Sequence, residues 1–127
     1  MVMLGTITPV LRSFDEARTR AFYCDFLGFK PVFEHRFEPD SPLYMGVILG
    51  ACELHLSEHY GDATPGSAIR IAVDDVTAYA AQLRAKNFGN ARPGAPDKTD
   101  WGSLELTITD PAGNKLTFCT DLPEDAA

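Results

Sequence analysis

Basic residues are scarce in this chain. Eleven Lys and Arg stand against 18 Asp and Glu, a formal net charge of −7. Binding along a phosphate backbone needs a basic face, so the balance argues against nucleic acid and favours a cationic ligand, although solubility alone would explain it equally well. Cysteine is sparse too: Cys24, Cys52 and Cys119 lie far apart and none belongs to a Cys-x-x-Cys pair. Reduced, mostly buried thiols are expected rather than a disulfide framework or a zinc knuckle. No apolar run approaches the ~20 residues that span a bilayer, so no membrane partner is expected. The opening Met1-Val-Met-Leu-Gly-Thr6 lacks a basic segment followed by a long apolar core, and cytoplasmic residence is the default expectation. No Ser-His-Asp spacing, nucleophile elbow or phosphate-binding glycine loop is present, which leaves nothing for covalent catalysis. With no Gly/Ser linker or charge block in 127 residues, 45% of them hydrophobic, one domain is expected.

The sequence does hold an internal duplication. Thr6 to Leu11 alternates as a short strand, and Ser13-Phe-Asp-Glu16 has capping-box spacing at the start of a helix. Phe22 and Phe26 lie four apart on that helix, which ends at Leu27-Gly-Phe29. Three strands follow, near Val32 to Phe37, Leu43 to Leu49 and Cys52 to Ser57. The second half repeats the order. Ile69, Ile71 and Val73 alternate as a strand, Asp74-Asp75 opens a helix, and Val76, Tyr79, Ala80 and Leu83 take helical spacing before three more strands. Asp15 and Asp75 open the two helices sixty positions apart. The expectation is an α+β fold of two tandem βαβββ modules, about 4–58 and 66–121, forming a curved mixed sheet with a concave groove. Apolar strand positions such as Leu54, Leu56, Leu116 and Phe118 face the helices. Glu53, His55, Ser57, Lys115 and Thr117 point away, and Thr8, His55, Ala68, Arg70, Glu105 and Thr117 are expected on the groove wall.

The tract from Asp97 to Phe118 carries most information. It joins the single Trp, Trp101, to a strand with Leu104, Leu106 and Ile108 in alternation. The Asp110-Pro-Ala-Gly-Asn114 turn follows, then a strand with Leu116 and Phe118. This tract resembles the closing hairpin of the vicinal-oxygen-chelate superfamily, the glyoxalase, bleomycin-resistance and dioxygenase group. Trp101-Gly102 and the Asp-Pro-Ala-Gly-Asn turn look most like bleomycin-resistance proteins, as do Ile7-Thr-Pro-Val-Leu11, Ala21-Phe-Tyr23 and Leu27-Gly-Phe29.

Enzymes of that superfamily hold one divalent metal between His and Glu side chains, two from each module. The resemblance puts those positions at Thr8, His55, Ala68 and Thr117, where only His55 is a good ligand. A shifted alignment would recruit Glu53, Glu58, His59 or Glu105 instead. No cofactor is therefore expected, and a metal-dependent lyase, isomerase, dioxygenase or thiol transferase is the alternative. The resemblance implies instead a non-catalytic, homodimeric protein, possibly one that exchanges elements between copies, which sequesters a cationic, ring-bearing small molecule of the bleomycin type. Trp101 is the candidate stacking surface, with Phe33, Phe37 and Tyr44 as further aromatic contacts. Glu105 and Asp100 are candidate partners for a ligand cation, with Arg70 placed to neutralise Glu105, and His55, Thr8 and Thr117 complete the set of candidate binding residues.

Overall fold

The computed structural model describes residues 1–89 and 93–123. The chain divides into two compact units, Met1–Pro65 and Gly66–Ala127, each an α+β arrangement of one helical segment and a four-stranded mixed sheet. In unit 1 strands β1 (Val10–Arg12), β2 (Lys30–His35), β3 (Tyr44–Leu49) and β4 (Cys52–Ser57) lie in the order β1-β4-β3-β2. In unit 2 strands β5 (Ala68–Ala72), β6 (Asp97–Lys98), β7 (Ser103–Thr109) and β8 (Lys115–Asp121) lie in the order β5-β8-β7-β6. The topologies are the same: the first strand of each unit pairs in parallel with the last, and every other pairing is antiparallel. The βαβββ duplication read from the sequence is thus the architecture.

Local chemistry sets the helix starts. Helix α1 (Glu16–Arg20) is capped by Asp15, which accepts from the Arg18 amide at 3.1 Å, and α2 (Val76–Ala85) by Asp75, which accepts from the Ala78 amide at 3.0 Å. The expected capping box at Ser13 does not form. Ser13 is buried, with its amide on the Ser57 carbonyl at 2.8 Å, so the cap falls two residues later. Helix α1 continues as a π-helical segment, Ala21–Phe26, closed by the Leu27 amide on the Phe22 carbonyl at 2.9 Å. Its Phe22, Tyr23 and Phe26 are buried with Leu11, Met45, Val47, Leu54 and Leu56 as the core of unit 1. Leu116, Phe118, Leu106 and Ile108 are buried in unit 2 with Val76, Ala80 and Leu83 of α2, where Tyr79 meets the Phe118 ring edge-on. Thr120 ties α2 to β8, its hydroxyl accepting from the Val76 amide at 2.9 Å and donating to the Val73 carbonyl at 2.8 Å.

Three strand expectations need correction. The first strand begins at Val10, not Thr6, because the ladder to β4 starts with the Pro9 carbonyl accepting from the His55 amide, and Pro9 has no N–H to extend it. Residues 1–8 are exposed and lie outside any strand. The second strand runs Lys30–His35, so Phe37 falls beyond its end. Ser57 is fully buried although it lies on the sheet face turned from the core, because the segment after β4 folds over it. The Ser57 hydroxyl donates to Asp62 at 2.7 Å and accepts from the His59 amide at 3.1 Å.

Candidate functional site

In unit 1 the register collects an aromatic and imidazole face. Phe33 pairs with Gly46 and Gly46 with His55, while His35 pairs with Tyr44 and Tyr44 with Ser57. Directly opposed residues share a sheet face, so Phe33, His35, Tyr44, Glu53 and His55 stand together on the side away from Met45, Val47, Leu54 and Leu56. The Phe33 ring lies over Gly46, where a Cβ would come within 2.4 Å of it. It stacks near-parallel to Tyr44 with centroids 6.0 Å apart and meets His55 edge-on at 5.1 Å. Phe33 is 40% exposed, so one ring face stays open.

His55 is engaged at both nitrogens: Nδ1 lies 2.8 Å from the Tyr44 hydroxyl and Nε2 lies 2.8 Å from Glu53. Burial pushes the Tyr44 phenol above its ordinary range, and the charge of Asp62 acts in the same direction. Phe37, 77% exposed, lies beyond the end of β2 between His35 and His59, whose rings it meets edge-on at 5.0 and 6.2 Å. Thr8 is exposed and outside the sheet, so the expected place on a strand wall is not where the chain puts it.

In unit 2 the corresponding face carries Arg70, Glu105, Thr107, Thr117 and Cys119, which the register aligns across β5, β8 and β7. Arg70 grips Glu105 with both guanidinium nitrogens, at 3.3 and 2.5 Å. That pairing holds the Glu105 carboxyl below the usual carboxylate range, against a smaller opposing effect of burial, and the Trp101 side chain adds to the lowering. Glu105 is thus already neutralised. Thr117 and Thr107 hydroxyls bond each other at 2.9 Å, and Ala68 opens β5 opposite Lys115 with no ligating atom on its side chain. Trp101 sits in the turn before β7, 71% exposed, with Asp100 exposed beside it. A depression of about 300 Å³ borders this face beside Arg70, Cys119 and Asp121.

Alternation in the sequence places His55 on the open face of unit 1 and Arg70, Glu105 and Thr117 on that of unit 2, and the strand register adds Phe33 and Tyr44, aromatic candidates that the sequence left without a face, to the first. Sequence reasoning missed the role of Glu53 as a partner of His55, and Gly46 as the floor under Phe33. The Glu53-x-His55 spacing was the available signal, since positions i and i+2 share a strand face. The donor set does not fit a divalent metal. Ala68 offers nothing, Thr8 lies outside the sheet, and both His55 nitrogens are already bonded. Among the described residues no three His, Cys, Asp or Glu side chains are grouped to hold an ion.

Paired βαβββ units with matching strand orders define the class: a duplicated module of the vicinal-oxygen-chelate type. The chain belongs to the glyoxalase superfamily protein family, whose profile it matches over residues 1–124. It is similar to the bleomycin resistance determinant encoded on transposon Tn5, at 26% identity and a TM-score of 0.72, over 93% of this chain and 98% of that one. It is also similar to the bleomycin-binding protein of bleomycin-producing Streptomyces verticillus, solved with copper(II)-bleomycin. There the identity is 28% and the TM-score 0.70, over 98% of this chain and 100% of that one. An antibiotic binding protein from Streptomyces sp. CB03234 shares the fold at 18% identity and a TM-score of 0.73, over 95% and 98% of the two chains. No curated protein matches the sequence. No helix among the described residues is long and apolar enough to cross a membrane.

Proposed function

We propose that the protein is a non-catalytic binder that sequesters a cationic, ring-bearing small molecule, with a bleomycin-type glycopeptide as the leading candidate. The observation that carries this is Trp101. An indole left 71% exposed at the lip of a polar strand, with Asp100 beside it, is a stacking surface rather than core filling. The exposed ring of Phe33, stacked beside Tyr44, supports the reading in unit 1, as does the likeness to two bleomycin-binding or bleomycin-resistance proteins at 26% and 28% identity. The Arg70–Glu105 pair refines it: a ligand cation meets Asp100 more readily than Glu105, which already has its counter-ion.

Bleomycin should quench the Trp fluorescence. Trp101→Ala should weaken binding by a factor corresponding to ~0.5–2 kcal/mol of cation–π and stacking energy, with the melting temperature nearly unchanged. Added salt should weaken binding further. Unchanged fluorescence and unchanged melting temperature at saturating bleomycin would remove that ligand from consideration. Calorimetric titration with zinc, nickel, manganese and iron(II) separates this reading from a metal enzyme. A one-to-one site of submicromolar affinity abolished by His55→Ala would favour the enzyme, and weak or absent binding the sequestering protein. We infer a homodimer, in which a second copy covers the apolar Met1, Val2, Met3, Leu4 and Ile7, each more than 80% exposed, by exchange of this segment between copies. A monomeric mass by light scattering at micromolar concentration refutes it.

A further inference from the structure

The hydrogen bonds around His55 run in one direction across the open face of unit 1. A carboxylate only accepts, so the 2.8 Å contact between Glu53 and Nε2 places a proton on that nitrogen. A neutral imidazole protonated there has a bare lone pair at Nδ1, and only the Tyr44 O–H can fill the second 2.8 Å contact. With the ring neutral, the polarity is Tyr44 to His55 to Glu53. The consequence falls on Tyr44: its single proton is committed to the imidazole, and toward any other group its oxygen can only accept. Phe33 walls the same spot, tilted 18° from the Tyr44 ring plane and seated on Gly46.

We propose that the Glu53–His55–Tyr44 chain makes the Tyr44 oxygen a fixed hydrogen-bond acceptor beside an aromatic wall. The subsite takes a planar group bearing an N–H, such as an aromatic ring N–H or an amide, and disfavours rings of the same shape that offer only lone pairs. This rests on the reading that the face takes a ligand, and is independent of whether bleomycin is that ligand. Glu53 and His55 act here as positioning residues, and Tyr44 and Phe33 make the contact.

Two measurements test it. Long-range proton–nitrogen correlation NMR of His55 at neutral pH should find the proton on Nε2 and Nδ1 bare, and Glu53→Ala, at a half-exposed position, should raise the Nδ1-protonated population. Chemical-shift titration with indole and with benzofuran, which match in shape and differ in the N–H, should shift Phe33, Tyr44 and His55 signals. Indole should bind roughly fivefold more tightly, the worth of one neutral hydrogen bond. Tyr44→Phe keeps the ring and should bring the two fragments level. A proton on Nδ1, a doubly protonated ring at neutral pH, equal affinities in the unmodified protein, or no shifts with either fragment would each overturn the proposal. A bleomycin titration on the same sample reports separately on the sequestration reading.

Discussion

Gly46→Ala probes the floor of the unit 1 face. The added methyl would meet Phe33 Cε1 at 2.4 Å and Cδ1 at 2.9 Å, well inside van der Waals contact, so something must move. Phe33 is 40% exposed on the edge strand β2 and can swing outward, whereas Gly46 lies buried in β3 between β2 and β4. Ejecting the ring forfeits its contacts with Tyr44 and His55, on the order of 1–2 kcal/mol together. Against this, alanine is better than glycine inside a strand by about 0.5–1 kcal/mol. The net loss should be roughly 1 kcal/mol in the natural background. With Phe33→Ala already present the clash is gone, and Gly46→Ala should stabilise by about 0.5 kcal/mol. The sign reversal is the diagnostic, and a double-mutant cycle by urea denaturation with circular dichroism reads the coupling directly. Equal destabilisation by Gly46→Ala in both backgrounds would show that Phe33 is not the group over the glycine, and the aromatic face as described would be wrong.

Two further outcomes test unit 2. Asp110 is buried and its carboxylate accepts from the Ala112 amide at 2.9 Å, the Asn114 amide at 2.8 Å and the Asn114 side-chain amide at 2.9 Å. Asp110→Ala should therefore cost about 2–3 kcal/mol by leaving the buried backbone and side-chain donors of Asn114 unsatisfied, and a loss under about 0.5 kcal/mol in thermal or urea unfolding would contradict that geometry. Glu105 has a folded carboxyl below its ordinary 4.5, so the stabilisation from its Arg70 pair is fully present above that ordinary value and disappears as pH falls through the lowered one; carbon-13 titration should show Glu105 moving up to the ordinary range in Arg70→Met, and no movement would mean the pair does not form in solution.

The amino-acid sequence determined what depends on near neighbours. Asp15 and Asp75 mark both helix starts because a cap needs only an amide three residues on. Cys52 to Ser57 has the strand bounds read from its alternation, and Asp110 to Asn114 closes its own turn. Alternation also put His55 on the open face of one sheet and Arg70, Glu105 and Thr117 on that of the other, whereas Phe33 and Tyr44 were legible only as aromatic candidates without an assigned face. Tertiary structure alone decided the partners. Whether Arg70 reaches Glu105, 35 positions away, whether Tyr44 meets His55, and whether Phe33 rests on Gly46 all follow from strand register. The register is fixed by how buried side chains from distant segments pack against each other, and no local pattern encodes that. The same limit starts β1 at Val10 rather than Thr6: an alternating run is only a strand where a neighbour offers a ladder, and Pro9 has no amide to extend it toward the N-terminus.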